Sequence, residues 1–319
     1  MKMKNKQITN TVLMIEPIVF GFNEETATNN FFQKKDSDPK KLIQDKALEE
    51  FTNMVDKLRK HYINVIVFKD TKEPYTPDSI FPNNWISFHD DGNVLLYPLY
   101  APNRRKERRL DIIEGLKNKG FLIKNIVDFT ESENKQIYLE GTGSIVLDRT
   151  NKVAYISVSE RTNEGLFLEF CEKMEFTPII FHATQNIEKK ECPIYHTNVM
   201  ISITEDFVIV CLDSIKDLKE RKLVSDILHS SQKEIITISE KQMMHFAANC
   251  LQLETENLNK YLVMSSTGYK SLNMGQIEKI NKYSKILVID VPTIEKYGGG
   301  SVRCMMAEIF LQKIDIGNK

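Results

Sequence analysis

From residue 11 onward the chain alternates short β-rich apolar runs with stretches of helical spacing. Residues 11–15 are apolar and predict a strand. Over residues 40–62, Ile43, Ala47, Phe51, Met54, Val55 and Leu58 recur at helical intervals, and residues 64–68 predict the strand that follows. The polar, aperiodic stretch 23–39 predicts a long surface loop, and loops of that length often serve as lids. Hairpin, helix and strand then recur. Strands are predicted at 86–88 and 94–97 around Asp90-Asp91-Gly92-Asn93, a helix over 106–119 and a strand over 121–126. The next set is strands 145–147 and 153–158, helix 164–173 and strand 178–181. Another is strands 199–203 and 208–212, helix 217–229 and strand 235–238. A fourth is blurred: helix 242–251, strand 262–265, helix 276–283 and strand 286–291.

The closing strands centre near Val65, Ile123, Ile179, Ile236 and Val288, spaced by 58, 56, 57 and 52 residues. A fixed period of this length marks one supersecondary unit used repeatedly. Five ββαβ units could close around a pseudo-fivefold axis, with the N-terminal strand and first helix joining the C-terminal end. The alternative is an open α/β sheet whose spacing is accidental. The expected organisation is a disordered or extended N-terminus over 1–10, a single α/β catalytic domain over 11–314 and a tail over 315–319.

The polar residues favour closure. Asn84, Glu140 and His196 each precede a hairpin at intervals of 56 and 56 residues, Asn249 follows after 53 and Cys304 after 55. In a closed ring those positions meet at one end of the axis. A thiol, an imidazole and a carboxylate sharing a cavity make a nucleophile, a proton shuttle and its orienting group. Cys304 follows the triplet Gly298-Gly299-Gly300, which can take positive φ and approach a ligand. The apolar run 305–311 predicts a helix, which would set Cys304 near a helix N-terminus and favour its thiolate. Singly, each residue has a plainer reading: Cys304 and His196 as core residues, Glu140, Asn84 and Asn198 as turn residues, Trp85 as core.

Composition narrows the class. The 319 residues carry a net charge of −1, which argues against a non-specific nucleic-acid binder. No apolar run approaches the roughly 20 residues of a membrane span, and the short apolar run after the first residues predicts no secretory signal. The five cysteines, at 171, 192, 211, 250 and 304, form no CxxC pair, so neither a disulfide framework nor a zinc site is expected. The expectation is a soluble cytoplasmic protein. The oligomeric state stays open, homo-oligomer included.

At these residues the chain resembles the guanidine-modifying enzymes: arginine deiminase, dimethylarginine dimethylaminohydrolase and the amidinotransferases. The resemblance rests on Glu140-Gly141, His196, Gly299-Gly300-Ser301-Val302-Arg303-Cys304 and Ser159-Glu160-Arg161-Thr162-Asn163, and spans nearly the whole chain. Phe81-Pro82-Asn83-Asn84-Trp85, Tyr100-Ala101-Pro102-Asn103-Arg104-Arg105 and Phe22-Asn23-Glu24-Glu25-Thr26 are similar to the bacterial citrulline ureidase branch. The resemblance implies a five-bladed α/β propeller, the pentein fold. It also implies catalysis by Cys304, His196 and Glu140, without metal or organic cofactor. Arg161, helped by Arg104 or Arg105, would take a substrate α-carboxylate, and Asn23 or its neighbours an α-ammonium. Asn249 joins the substrate-binding set.

Two departures matter. Arginine deiminases carry carboxylates where this chain has Asn84 and Asn198. An amide supplies no counter-charge for a guanidinium, but it can both donate to and accept from a neutral ureido group. The implied reaction is hydrolysis of citrulline to ornithine, carbon dioxide and ammonia through an S-carbamoyl cysteine. The alternatives are a deiminase or methylarginine hydrolase, an amidinotransferase, or a non-catalytic amino-acid-binding protein.

Overall fold

The computed structural model describes residues 6–314, so the expected tail 315–319 and residues 1–5 of the expected N-terminal segment lie outside the described residues. Five three-stranded sheets share one plan. In the sheet of Ile86–Phe88, Asn93–Leu96 and Asn125–Asp128, the first pair is an antiparallel hairpin and the third strand lies parallel to the second. Parallel neighbours need a crossover, and the helix Leu110–Asn118 supplies it. The same plan joins Val146–Asp148, Val153–Ser157 and Thr177–Phe181 through helix Glu164–Met174. It joins Ile201–Ile203, Phe207–Val210 and Glu234–Thr237 through helix Leu218–Ser230. The set Leu251–Glu254, Lys260–Ser265 and Lys285–Ile289 crosses by helices Ser266–Ser271 and Met274–Asn281.

The remaining sheet draws on both ends of the chain. Thr11–Glu16 lies parallel to Asn64–Lys69 across helix Lys40–Lys60, and antiparallel to Ala307–Glu308, with Leu13 opposite Ala307. Ile43, Ala47, Phe51, Met54, Val55 and Leu58 are the buried face of that helix, as their spacing predicts. Polar caps start two of the other crossovers: Asn163 accepts from the Leu166 N–H, and Asp217 from the N–H groups of Lys219 and Glu220. Gln7 is buried, its amide donating to the carbonyls of Leu147 and Ile203.

Several expectations need correction. The run 305–311 is not a helix: its only regular element is the strand Ala307–Glu308, and Met305, Met306, Ala307, Ile309 and Leu311 are buried. A short apolar run buried on all sides looks alike as helix or strand in sequence. The fourth unit's expected helix over 242–251 is a single turn, Glu240–Met243, and its far end is the missed strand Leu251–Glu254. The helix expected over 106–119 begins at Leu110, after a 3₁₀ turn at Arg104–Glu107. The strand expected over 121–126 lies at Asn125–Asp128. A two-stranded hairpin, Thr184–Ile187 with Lys190–Pro193, was not signalled by its polar sequence.

Candidate active site

The candidate residues occupy one place in the fold. Each sits in the turn leading into the first strand of a unit: Asn84 before Ile86, Glu140 before Val146, His196 before Ile201, Asn249 before Leu251 and Cys304 before Ala307. The turn bearing Gly141–Ser144 packs against both the Asn84 turn and the turn after His196. Gly143 makes this approach feasible. A Cβ there would lie 2.4 Å from Asn84 Nδ2 and 2.8 Å from His196 Nδ1. Gly143→Ala is therefore expected to push both side chains aside. Displacements on that scale cost about 10²-fold in rate, while overpacking costs about 1–3 kcal/mol, so turnover should fall about 10²-fold with the variant still folded and its melting temperature a few degrees lower. Steady-state kinetics beside a thermal melt checks this.

Cys304 and His196 line one small pocket, with Asp78, Asn84, Arg104 and Arg161 among its walls. Glu140 stands behind the imidazole: its Oε2 lies 2.7 Å from His196 Nε2, and its Oε1 accepts from the Tyr100 N–H at 2.9 Å. Burial drives the Glu140 carboxyl upward, but Arg161, the His196 hydrogen bond and Arg104 outweigh it and hold the group below the carboxylate range. Burial pushes His196 down to about 4, against the pull of Glu140. A neutral imidazole beside an ionised carboxylate carries its proton on Nε2. Nδ1, which makes no hydrogen bond among the described residues, is then a free acceptor.

Around the sulfur stand two amides. Asn249 Nδ2 lies 3.4 Å and Asn198 Nδ2 3.7 Å from Cys304 Sγ, and Asn198 Nδ2 also donates to the Thr142 carbonyl at 3.2 Å. No helix follows Cys304, so no helix dipole favours its thiolate, contrary to expectation. The preceding helix is Pro292–Gly298, which ends at Gly299 with φ +62°. That left-handed residue turns the chain toward the cysteine.

Arg104 and Arg105 separate cleanly. Arg105 is half-buried, does not line the pocket and donates to the carbonyls of Leu99 and Tyr100. Arg104 is buried and forked onto Glu107, Nε to Oε1 and Nη2 to Oε2, both at 2.9 Å. Its Nη1 donates to Asn84 Oδ1 at 2.8 Å. Arg161 is buried, with Nε 2.8 Å from Asn29 Oδ1, Nη2 2.9 Å from the Thr26 carbonyl and Nη1 3.5 Å from Glu140 Oε2.

Asn29 and Thr26 belong to the stretch expected as a surface loop. Asn23, Thr26, Asn30, Phe32 and Gln33 are instead buried, and Asn30 and Gln33 reach the carbonyls of Gly298, Gly299 and Tyr297. Asn23 does not line the cavity. It donates to Asp78 Oδ2 at 2.7 Å, joined by Thr26 Oγ1 at 3.1 Å. Asp78 is the residue sequence reasoning missed. Its Oδ1 is buried without a partner, and burial raises its carboxyl despite Arg104 and Asn23. An unmet buried acceptor costs about 1–3 kcal/mol, which a ligand donor could recover. The signal available was Asp78 six residues ahead of Asn84, in the turn just before the one that carries it. Among the described residues no cluster of three or more His, Cys, Asp or Glu could hold a metal, and no helix is long and apolar enough to cross a membrane.

The fold is an α/β fold shared with several solved structures. The N-terminal domain of ArgZ, an arginine dihydrolase from the ornithine-ammonia cycle in Cyanobacteria, solved as a cysteine-to-serine mutant bound to substrate, matches with a TM-score of 0.69 and 15% identity, over 94% of this chain and 97% of that one. AgrE in ternary complex with ornithine and NAD+ matches with a TM-score of 0.71 and 16% identity, over 96% of this chain and 40% of that one. A dimethylarginine dimethylaminohydrolase adduct with 4-chloro-2-hydroxymethylpyridine matches with a TM-score of 0.62 and 16% identity, over 95% of this chain and 100% of that one. At such identities the likeness is one of fold. The sequence profile of the eukaryotic N,N dimethylarginine dimethylhydrolase family matches residues 16–311, and the chain belongs to that family, within the guanidine-modifying superfamily. Comparison with curated protein sequences gives no match.

Proposed function

We propose that the protein is a cysteine-dependent hydrolase that cleaves the ureido group of L-citrulline, giving L-ornithine, carbon dioxide and ammonia. The observation that carries this reading is the orientation of Asn84. A guanidinium has only donors, so the Asn84 oxygen must face Arg104; its N–H₂ gives one hydrogen to Asn83 Oδ1 at 3.2 Å and keeps one for a ligand. A ureido oxygen can accept from that group; a guanidinium cannot. A guanidinium would also need a counter-charge, and the one carboxylate among the cavity walls is Asp78.

In this mechanism His196 Nδ1 takes the proton of Cys304 as Sγ attacks the ureido carbon. Asn249 and Asn198 steady the sulfur. The bond from that carbon to the δ-nitrogen breaks, and His196 returns the proton to the departing amine. Ornithine leaves an S-carbamoyl enzyme. His196 then draws a proton from water, whose oxygen attacks the carbamoyl carbon and frees the sulfur, and the released carbamate decays. Glu140 keeps the imidazole in the Nε2–H form. Arg161 takes the α-carboxylate and the free Asp78 oxygen the α-ammonium. We read the five sheets as blades of one closed propeller, forming a single domain over 11–314.

A second reading is hydrolysis of arginine or a methylarginine by the same cysteine. The family match and the arginine dihydrolase structures favour it. Purified protein incubated separately with citrulline, arginine and dimethylarginine decides between them. Ornithine from citrulline, with the other two slow, is the expected result; fast citrulline formation from arginine or dimethylarginine would overturn the ureido reading.

A further inference from the structure

Glu107 is a buried acid that the reaction does not use. It sits behind Arg104, and both of its oxygens accept from that guanidinium at 2.9 Å. Burial pushes the Glu107 carboxyl up to about 8 against the pull of Arg104; the two-point fork from an obligate donor is the geometry of the charged form, and on that geometry we take Glu107 as ionised. The other calls on Arg104 are known. Nη2 also reaches the carbonyls of Phe81 at 3.3 Å and Asp78 at 3.5 Å, and Nη1 holds Asn84 Oδ1. Two further acids stand just out of reach: Asp78 Oδ2 is 3.8 Å from Nε, and Glu140 Oε2 is 4.0 Å from Nη1. Of three buried carboxylates around one guanidinium, Glu107 alone has the fork.

We propose that Glu107 is a positioning residue that sets substrate preference: by pinning Arg104 it holds the Asn84 oxygen, leaving as the amide's offer to substrate the one N–H not given to Asn83 Oδ1, which favours a carbonyl-bearing ureido group over an all-donor guanidinium. This rests on the ureido reading. While Arg104 stays, the amide cannot turn over, because that would set N–H₂ against N–H₂. Without the Glu107 charge, Arg104 is drawn to Asp78 or Glu140, Asn84 is released, and its oxygen can face a guanidinium. Arg104, with most of its donors spent inside the protein, then acts mainly as a link between Glu107 and Asn84. A fork of this kind is not reproduced by an ammonium.

The test measures binding in a Cys304→Ala background, by titration calorimetry with citrulline and with arginine, for the otherwise unchanged protein and for E107Q. Affinity for citrulline relative to arginine is expected to fall about tenfold in E107Q, the size of one hydrogen bond to a charged group gained or lost. E107D, which keeps the charge on a shorter arm, should recover part of the ratio. If E107Q does not fold, judged by circular dichroism and melting, R104K carries the same expectation. An unchanged ratio in a folded E107Q or R104K overturns the proposal. The ureido reading is tested apart, by turnover in the unmodified enzyme: no ornithine from citrulline there sinks that reading, whatever the binding ratio does.

Discussion

Cys304→Ser is expected to release no measurable ornithine from citrulline, a loss of about 10⁴-fold or more, since removing one member of a unit costs nearly as much as removing all. Serine keeps the volume and the neighbouring amides, so the melting temperature should hold. The sulfur is wedged between Asn249 and Asn198, and nothing else along the cavity offers a second nucleophile of that kind. A folded serine variant that turns over citrulline at the parent rate would remove Cys304 from the reaction. Mass spectrometry of the parent enzyme, quenched during turnover, should find the carbamoyl adduct on the peptide containing Cys304.

Glu140→Gln tests the other half of the machinery. The carboxylate at 2.7 Å holds His196 in one tautomer and pulls its affinity for protons upward against burial. A glutamine can present its amide nitrogen to Nε2, which selects the wrong tautomer. Loss of about 10³-fold or more in turnover is expected by analogy with other acid–imidazole pairs. The pH profile carries a second signature. In the parent, His196 must be unprotonated to accept the thiol proton, so activity on the acid side is lost only as pH falls through about 4. Removing Glu140 removes the interaction that raises His196, while burial and the Arg161 charge remain. The residual acid limb should therefore move to lower pH. A limb at the ordinary imidazole position in the parent, or one moving upward in the variant, contradicts the assignment.

Much of this was legible in the residues because repetition fixes position. Asn84, Glu140, His196, Asn249 and Cys304 share one turn in successive units, so their spacing alone placed them together. Where the sequence misled, a local rule met a tertiary override. The run after Cys304 is apolar enough for a helix, yet Ala307 pairs with Leu13 from the far end of the chain, a partner no local window contains. Arg104 and Arg105 are adjacent and chemically alike; which one turns inward depends on Glu107 receiving the fork. Asp78 carried no motif of its own, and its significance is an unmatched oxygen, a property of the packed state.

The stretch that carries Thr26, Asn29 and Asn30 has a consequence for how molecules are admitted. Its Thr26 carbonyl and Asn29 oxygen already sit on Arg161, while Asn30 clasps the carbonyls of Gly298 and Gly299 beside the nucleophile's turn. On the proposed reading, an arriving carboxylate competes for the donors that latch that stretch. Recognition and entry become one event: the end of the molecule that marks it as an α-amino acid is also the key. A bare urea, with nothing to offer Arg161, meets a shut door, and the thiol beneath is spared idle chemistry with small solutes.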